Sequence, residues 1–331
     1  MSSEPRKIPV HVQESAGSID VFRIDRTKCL AALAEYPDLV ERIDLSFGSS
    51  AEDLEHALPS AEVLVVGNFD AKNLQQRAPN LRWIQSIFAG MEKLAPQVPT
   101  SIMLTNASGV HAPKAAEFVV GAMLMLNCAI PQFIEDKANV RWEPVFTTSI
   151  AGRTVVIIGV GSMGLAIAQH AKYFGLTVLG VARTAGERPN LDACYEPSQF
   201  RQVLPRADFV VITLPNTPET RGLIGRRELN LLPKHAGIIS VGRAQVLDHE
   251  ALVEKLFNGE LGGAFLDVFE EEPLPAGSAL WRTPRLVITP HCVVDDASSY
   301  VRRSLSVFFD NLRRYLKGEA LNNLVDQKLG Y

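Results

Sequence analysis

The sequence predicts an α/β protein built from two doubly wound, parallel-sheet domains with a cleft between them. Three observations predict it. Short apolar runs of strand length alternate with helix-like stretches along the chain. The alternation restarts after Ile150, following one long apolar helix. The restart opens with VVIIGVGSMG, Val155 to Gly164, a buried-strand pattern running into Gly159-x-Gly161-x-x-Gly164. Alternation of this kind makes parallel sheets covered by helices on both faces. At 331 residues and 47% hydrophobic, the chain is long enough for two cores.

Taken in order, residues 1–108 carry strand patterns at 8–13, 62–68, 81–87 and 102–107. Helix patterns fall at 27–36, 51–58 and 70–77. A long apolar helix follows over 113–138, bent at Pro131, where a proline removes a backbone donor. The second domain, 109–292, has six strand patterns, at 154–158, 176–182, 208–214, 236–241, 261–268 and 286–289. Asp248 is placed to cap the helix at 249–257 rather than to do chemistry. A last helix over 294–317 follows the final strand, so residues 293–331 join the first domain. Breaks near 108–112 and 292–295 make two linkers, and ligands of such folds bind at strand carboxyl ends and between domains.

Composition narrows the function. A net charge of −4 gives no basic footprint for nucleic acid. The opening MSSEPRKIPV lacks the apolar stretch of a signal peptide. The most apolar run, Phe118 to Leu126, is too short to cross a bilayer. Cys29, Cys128, Cys194 and Cys292 lie far apart with no CxxC pair, so neither a metal site nor a disulfide framework is expected. A reducing cytoplasm fits this pattern.

The glycine fingerprint names a cofactor class. Gly159 permits a tight turn, Gly161 lets the backbone approach a pyrophosphate, and Gly164 lets helix and strand pack closely. The helix opening near Ser162 points backbone N–H groups at the phosphates. An NAD site usually has an acidic residue after the second strand, to bond the ribose 2′-hydroxyl. Here that position reads Ala182, Arg183, Thr184. A guanidinium and a hydroxyl in place of a carboxylate suit a 2′-phosphate, so NADP(H) is preferred and NAD(H) stays open.

Three strand ends carry polar groups that a core would not accept: Gly242-Arg243, Asp267 with Glu270 to Glu272, and Thr289-Pro290-His291. In a parallel sheet these ends share one rim with the cofactor. A 2-oxo acid needs a cation beside its carboxylate and carbonyl, which Arg243 supplies. Hydride addition leaves an alkoxide needing a proton, and histidine is the natural acid near neutral pH. A carboxylate bonded to the imidazole orients it and favours its charged form. Arg243 is therefore assigned to substrate binding, His291 to proton donation and Glu272 to tuning His291. Of the other histidines only His111, near the expected hinge, stands out.

With these residues in place, the chain resembles the D-isomer-specific 2-hydroxyacid dehydrogenase family over nearly its whole length. The matching segments are GVHAPKAAEFVVGAMLML (109–126), GVGSMG (159–164), LPNTPETRGLIG (214–225), VGRAQVLDHEAL (241–252), GGAFLDVFEEEPLP (262–275) and LVITPH (286–291). The resemblance implies a flavodoxin-like substrate domain and a Rossmann-type dinucleotide domain. It also implies hydride transfer between a nicotinamide cofactor and a small 2-oxo or 2-hydroxy acid, catalysed by Arg243, Glu272 and His291. Carried over, it extends the cofactor contacts to Met163, Leu214, Pro215, Val241 and Gly242, and puts Asp267 at the nicotinamide end. Phe88-Ala89-Gly90 becomes a clamp for the substrate carboxylate, and the segment around 113–145 a homodimer interface. Asn68, Phe69, Phe88 and Trp142 are candidates to shape the pocket.

Two departures stand out. Ala244 replaces the glycine that often follows the arginine, and Ala182-Arg183 replaces the usual acidic position. The second points to the NADPH-dependent glyoxylate/hydroxypyruvate reductase branch. The alternatives are an NAD-dependent enzyme such as a phosphoglycerate dehydrogenase, and a nucleotide-sensing, corepressor-like binding protein. Formate dehydrogenases of the superfamily would carry Gln where Glu272 stands.

Overall fold

The computed structural model describes residues 6–14, 19–327 and 329–330; residues 1–5, read above for a leader, lie outside these. The chain divides into two compact units, Met1–Val110 with Asp296–Tyr331, and His111–Asp295. The divisions fall after Val110 and Asp295, where the sequence reading puts them after 108 and 292.

The first unit holds a five-stranded, all-parallel sheet. Its strands are β1 (Ile8–Gln13), β2 (Ile43–Gly48), β3 (Val63–Val66), β4 (Trp83–Ser86) and β5 (Met103–Thr105), in the order β2-β1-β3-β4-β5. Side chains alternate across it as strand geometry requires. Val63 and Val65 face one core with Trp83 and Phe308, while Leu64 and Val66 face another with Leu54 and Leu74. A central strand covered on both faces reads as an unbroken apolar run, as the Val63–Val66 strand β3 does. β2 was not among the expected strands. It lies at the sheet edge, and its Asp44 and Ser46 interrupt the apolar run.

Helices α1 (Arg26–Leu33) and α2 (Ala51–Ala57) form close to their expected places, each started by a side-chain cap, Asp25 and Ser50. The helix expected over 70–77 shrinks to Leu74–Arg77 because Asn73 turns left-handed, at φ 54°. The C-terminal helix spans Tyr300–Lys317 rather than 294–317. Asp296 delays its start: its carboxylate accepts the N–H groups of Ser298 and Ser299, folding a turn first. The helix then lays Val301, Leu305, Phe308 and Leu312 on the first unit's sheet core.

The second unit holds a seven-stranded parallel sheet. Its strands are β6 (Thr154–Ile158), β7 (Thr177–Val181), β8 (Ala193–Tyr195), β9 (Phe209–Ile212), β10 (Gly237–Ser240), β11 (Gly263–Leu266) and β12 (Leu286–Ile288), in the order β12-β11-β10-β9-β6-β7-β8. Six were expected. The seventh, β8, is a three-residue edge strand, too short to show a period. Topology reverses at β6, which has β9 on one side and β7 on the other, making the switch point at which such sheets bind ligands.

The long helix is two helices, α3 (Ala112–Asn127) and α4 (Ile130–Ala138), crossing at 63°. The bend sits at Ala129, which is left-handed at φ 55°, not at Pro131. Pro131 occupies the first turn of α4, where a missing N–H costs nothing. The small residues of α3, Ala115, Ala116 and Val119, pack on α5 (Ser162–Tyr173) through Ile167, Ala168 and Ala171. Among the described residues no single helix is long and apolar enough to cross a membrane. Helix α6 (His249–Phe257) starts at Asp248, whose carboxylate accepts the Ala251 N–H at 2.9 Å, the capping role expected of it.

Candidate active site

Strand register puts the sequence-derived residues of the second unit on one rim. Ile158 pairs with both Val181 and Ile212, Ser240 with both Ile212 and Leu266, and Leu266 with Ile288. The residues that follow these pairs therefore emerge side by side: Gly159, Ala182-Arg183, Thr213-Leu214-Pro215, Val241-Gly242-Arg243, Asp267, and Thr289 to His291.

At Gly159 the chain turns with φ 106°, a conformation glycine adopts without penalty. Thr213 locks the turn, its hydroxyl donating to the Gly159 carbonyl at 2.6 Å. Gly164 then passes so close that a β-carbon on it would sit 2.2 Å from the Gly159 oxygen. Helix α5 therefore starts directly over the strand end. Its N-cap is Gly161, which offers no side-chain cap and has open space where a β-carbon would point. Ser162 is exposed and Met163 half-buried beside it. Uncapped backbone donors, the positive end of the helix dipole and open space suit a pyrophosphate.

Past β7, Arg183 and Thr184 are exposed on the rim. A second guanidinium, not singled out in the sequence, joins them. Arg188 donates to the Thr184 carbonyl and hydroxyl, both at 3.2 Å. The Glu219 carboxyl is held below its ordinary pKa mainly by a bond from Thr217, with the charge of Arg183 contributing. The turn thus has two cations, Arg183 and Arg188, with Glu187 between them in sequence and Glu219 nearby.

Asp267 follows β11 and is 1% exposed. One carboxylate oxygen accepts the Thr289 hydroxyl at 2.8 Å and the Cys292 N–H at 3.1 Å. The other is buried with no hydrogen-bond partner. Burial pushes this carboxyl above its ordinary pKa. An orphaned acceptor at this place fits the amide N–H of a nicotinamide carboxamide.

Arg243 is half-buried, with an extended backbone, and donates to the Gly242 carbonyl at 2.9 Å. Ala244 opens a short 3-10 turn, a conformation ordinary for alanine, so the absent glycine leaves this turn intact. Glu272 and His291 meet: His291 Nδ1 lies 2.8 Å from Glu272 Oε2. The other Glu272 oxygen accepts the Phe269 N–H at 2.9 Å. The carboxylate is thus fixed at both oxygens, and the imidazole is oriented with Nε2 left to act. His291 is left-handed, φ 50°, a conformation that costs a non-glycine residue of order 1 kcal/mol and clusters at functional sites.

His111 and Asp295, the first and last residues of the unit, pair at 3.0 Å and tie together the two points where the chain enters and leaves. Phe88-Ala89-Gly90 belongs to the first unit, just past β4. The Phe88 N–H donates to Ser86 Oγ, and Asn106 donates to the Ala89 carbonyl at 2.9 Å, so the loop is held from both sides. Asn68 is exposed and Phe69 half-buried in that same unit.

The family described as D-isomer specific 2-hydroxyacid dehydrogenase, NAD binding domain, matches residues 120–293. Glyoxylate/hydroxypyruvate reductase B of Pectobacterium carotovorum subsp. carotovorum is 33% identical over 311 residues, covering 88% of this chain and 95% of that protein. D-3-phosphoglycerate dehydrogenase of Methanocaldococcus jannaschii is 28% identical over 297 residues, covering 87% of this chain; the match spans 56% of that longer protein. Among solved structures, a D-isomer specific 2-hydroxyacid dehydrogenase from Xanthobacter autotrophicus Py2, in complex with NADPH and MES, superposes with a TM-score of 0.84. It is 29% identical and covers 97% of this chain and 99% of that one.

Proposed function

The chain belongs to the D-isomer-specific 2-hydroxyacid dehydrogenase family, and we propose that it reduces glyoxylate or hydroxypyruvate with NADP(H) in preference to NAD(H). The single observation that carries the reading is the Glu272–His291 pair, 2.8 Å apart on the same rim as Arg243 and the glycine turn.

The dinucleotide supplies a hydride when bound. The chain's own residues do the rest. The α5 N-terminus and Gly161 hold the pyrophosphate, Met163, Leu214, Pro215, Val241 and Gly242 flank the cofactor, and Asp267 accepts from the carboxamide. Arg183, Thr184 and Arg188 bind the 2′-phosphate, where the absence of a carboxylate immediately after β7 removes the usual repulsion. Arg243 binds the substrate carboxylate and polarises the carbonyl, which makes its carbon accept a hydride. His291 Nε2 gives its proton to the carbonyl oxygen, and the product is the 2-hydroxy acid. Glu272 holds the ring in place and stabilises the imidazolium before transfer. The relative named for glyoxylate and hydroxypyruvate, and the neighbour crystallised with NADPH, support both the substrate and the cofactor. We further propose that the enzyme acts as a homodimer through the second unit. It works in the cytoplasm, where its four free cysteines stay reduced.

The test is the initial rate of NADPH and NADH oxidation with glyoxylate, hydroxypyruvate, pyruvate and a bulky aromatic 2-oxo acid. Fast NADPH turnover with the first two is expected. Preference for the bulky acid would reject the substrate, and tight NADPH binding without turnover would favour a nucleotide-sensing protein. Arg243→Ala is expected to lower kcat/KM by at least about a hundredfold while NADPH binding persists.

A further inference from the structure

We propose that a second cavity of the nucleotide-binding unit binds a small organic cation, a primary amine or guanidinium on an apolar stem, and thereby modulates the Glu272–His291 pair. The cavity is open to solvent on one side and measures about 900 Å³. Arg243, Glu272, His291 and the glycine turn do not line it, so it is separate from the rim described above.

Its walls are three pieces of chain. One is the stretch 221–225, bonded to the run after Arg243. Gly222 donates to Gln245 at 2.7 Å, Ile224 to Val246 at 3.0 Å, and Asp248 to Ile224 at 2.9 Å. The others are that run itself, 245–253, and the loop from Phe269 to Leu280. The apolar lining comes from Leu247, Val253, Phe269, Leu274 and Leu280. The polar lining is charged in one sense: Asp248, Glu250, Glu270 and Glu271 stand against a single guanidinium, Arg221. His249 also lines it, packed edge-on against Phe269 with ring centres 6.3 Å apart. Burial holds this imidazole below its ordinary pKa, so it adds no positive charge near neutral pH. An apolar floor beneath carboxylates attracts a cation with an apolar stem and repels an anion such as a 2-oxo acid.

The runs 245–253 and 269–280 both continue into the catalytic rim, which is how occupancy would be felt there. Phe269 lines the cavity and holds Glu272 with its N–H. Glu270 and Glu271 immediately precede Glu272, and Arg243 sits two residues before Gln245. A cation drawn to Glu270 and Glu271 therefore pulls on the loop that aims Glu272 at His291. This coupling rests on the proposed reaction; the binding does not.

Trp281 reports on binding directly, because its indole donates to the carbonyl of Pro275, a lining residue, at 2.9 Å. Titrating the full chain with agmatine or phenethylamine is expected to change tryptophan emission saturably and to raise the thermal midpoint. Both effects should weaken about tenfold or more in the Glu270→Gln/Glu271→Gln double variant. The emission change should vanish in Trp281→Phe, and phenethyl alcohol and hexanoate should give none. No saturable response to either amine, or equal affinity in the double variant, would overturn the proposal. In steady-state assays the amine is expected to change kcat without raising the KM of either substrate. Competition with the 2-oxo acid or with NADPH would put it on the catalytic rim and refute a separate site. Absence of all turnover would count against the proposed reaction, leaving the emission titration to decide the cavity.

Discussion

Asp267 is buried, carries a carboxylate oxygen with no partner, and sits where the cofactor's reacting end is proposed. Desolvation raises its pKa above the unfolded value. The folded chain therefore holds this proton more tightly than the unfolded chain. The resulting stability is fully present below the ordinary aspartate pKa and is lost as pH rises through the folded pKa. Asp267→Asn keeps an oxygen for Thr289 and Cys292 and removes the charge. It is expected to raise the melting temperature at pH 8, by about 2–4 °C for each kcal/mol recovered in a unit of this size, with the gain fading towards pH 3. The same variant should raise the KM for NADPH. An unchanged melting temperature at pH 8 would mean that the buried charge costs the fold nothing. The turn proposed to bind the 2′-phosphate allows a parallel test. Arg183→Ala and Arg188→Ala should each raise the KM for NADPH far more than that for NADH, measured with one 2-oxo acid; an unchanged ratio in both variants rejects the site. Arg243, Glu272 and His291 were legible because charged and polar residues rarely end apolar strands without reason. The partners of Asp267 were not, since Thr289 and Cys292 come from a different strand end and only register brings them there. Arg188 was hidden for a similar reason: a turn of unspecified shape gives no distance to Thr184.

Strand ends opposite the rim are fixed by a different kind of contact. Asp208, just before β9, accepts from the Arg153 guanidinium at 2.6 Å, the Thr154 N–H at 2.7 Å and His235 at 3.0 Å. It thereby fastens the start of β6 to the start of β9 on the two sides of the switch point. Burial pushes its carboxyl up, but these three bonds together hold it below the ordinary aspartate pKa. A lowered folded pKa gives stability that is present above the unfolded value and lost as pH falls through the folded one. Asp208→Asn is expected to cost about 1–3 kcal/mol in urea unfolding at pH 7 and progressively less towards pH 2. Its kcat and KM should match the parent, because the clamp lies at the far end of the strands from Arg243 and His291. A large kinetic defect at full stability would show that the strand ends communicate. Elements buried on both faces could be read from composition, as β6, β7 and β9 illustrate. The edge strands β2 and β8 could not: one mixes Asp44 and Ser46 into its run, and the other is three residues long. The bend between α3 and α4 was expected at the proline, but a left-handed Ala129 makes it, and alanine carries no turn signal.

At the scale of the molecule, two parallel sheets were readable from the restart of the strand-helix alternation after Ile150. The proposed dimer is instead a matter of a few surface residues. Beyond α4, Val140, Trp142 and Phe146 are 95%, 97% and 94% exposed. Side chains of this size each present roughly 150–250 Å² when aromatic, and leaving two rings and a valine in water within seven residues is costly for a monomer. A second copy offering the same segment satisfies a two-fold axis, the commonest symmetry of soluble oligomers, and lets the rings cover one another or the neighbouring helix. Light scattering coupled to size exclusion is therefore expected to give the mass of a dimer at micromolar concentration. Trp142→Ser/Phe146→Ser should shift that mass towards the monomer without lowering the melting temperature of the isolated protomer, since neither ring contributes to a core. A parent chain that runs as a monomer at every concentration, or a double variant that stays dimeric, would remove these rings from the interface and require another partner for them.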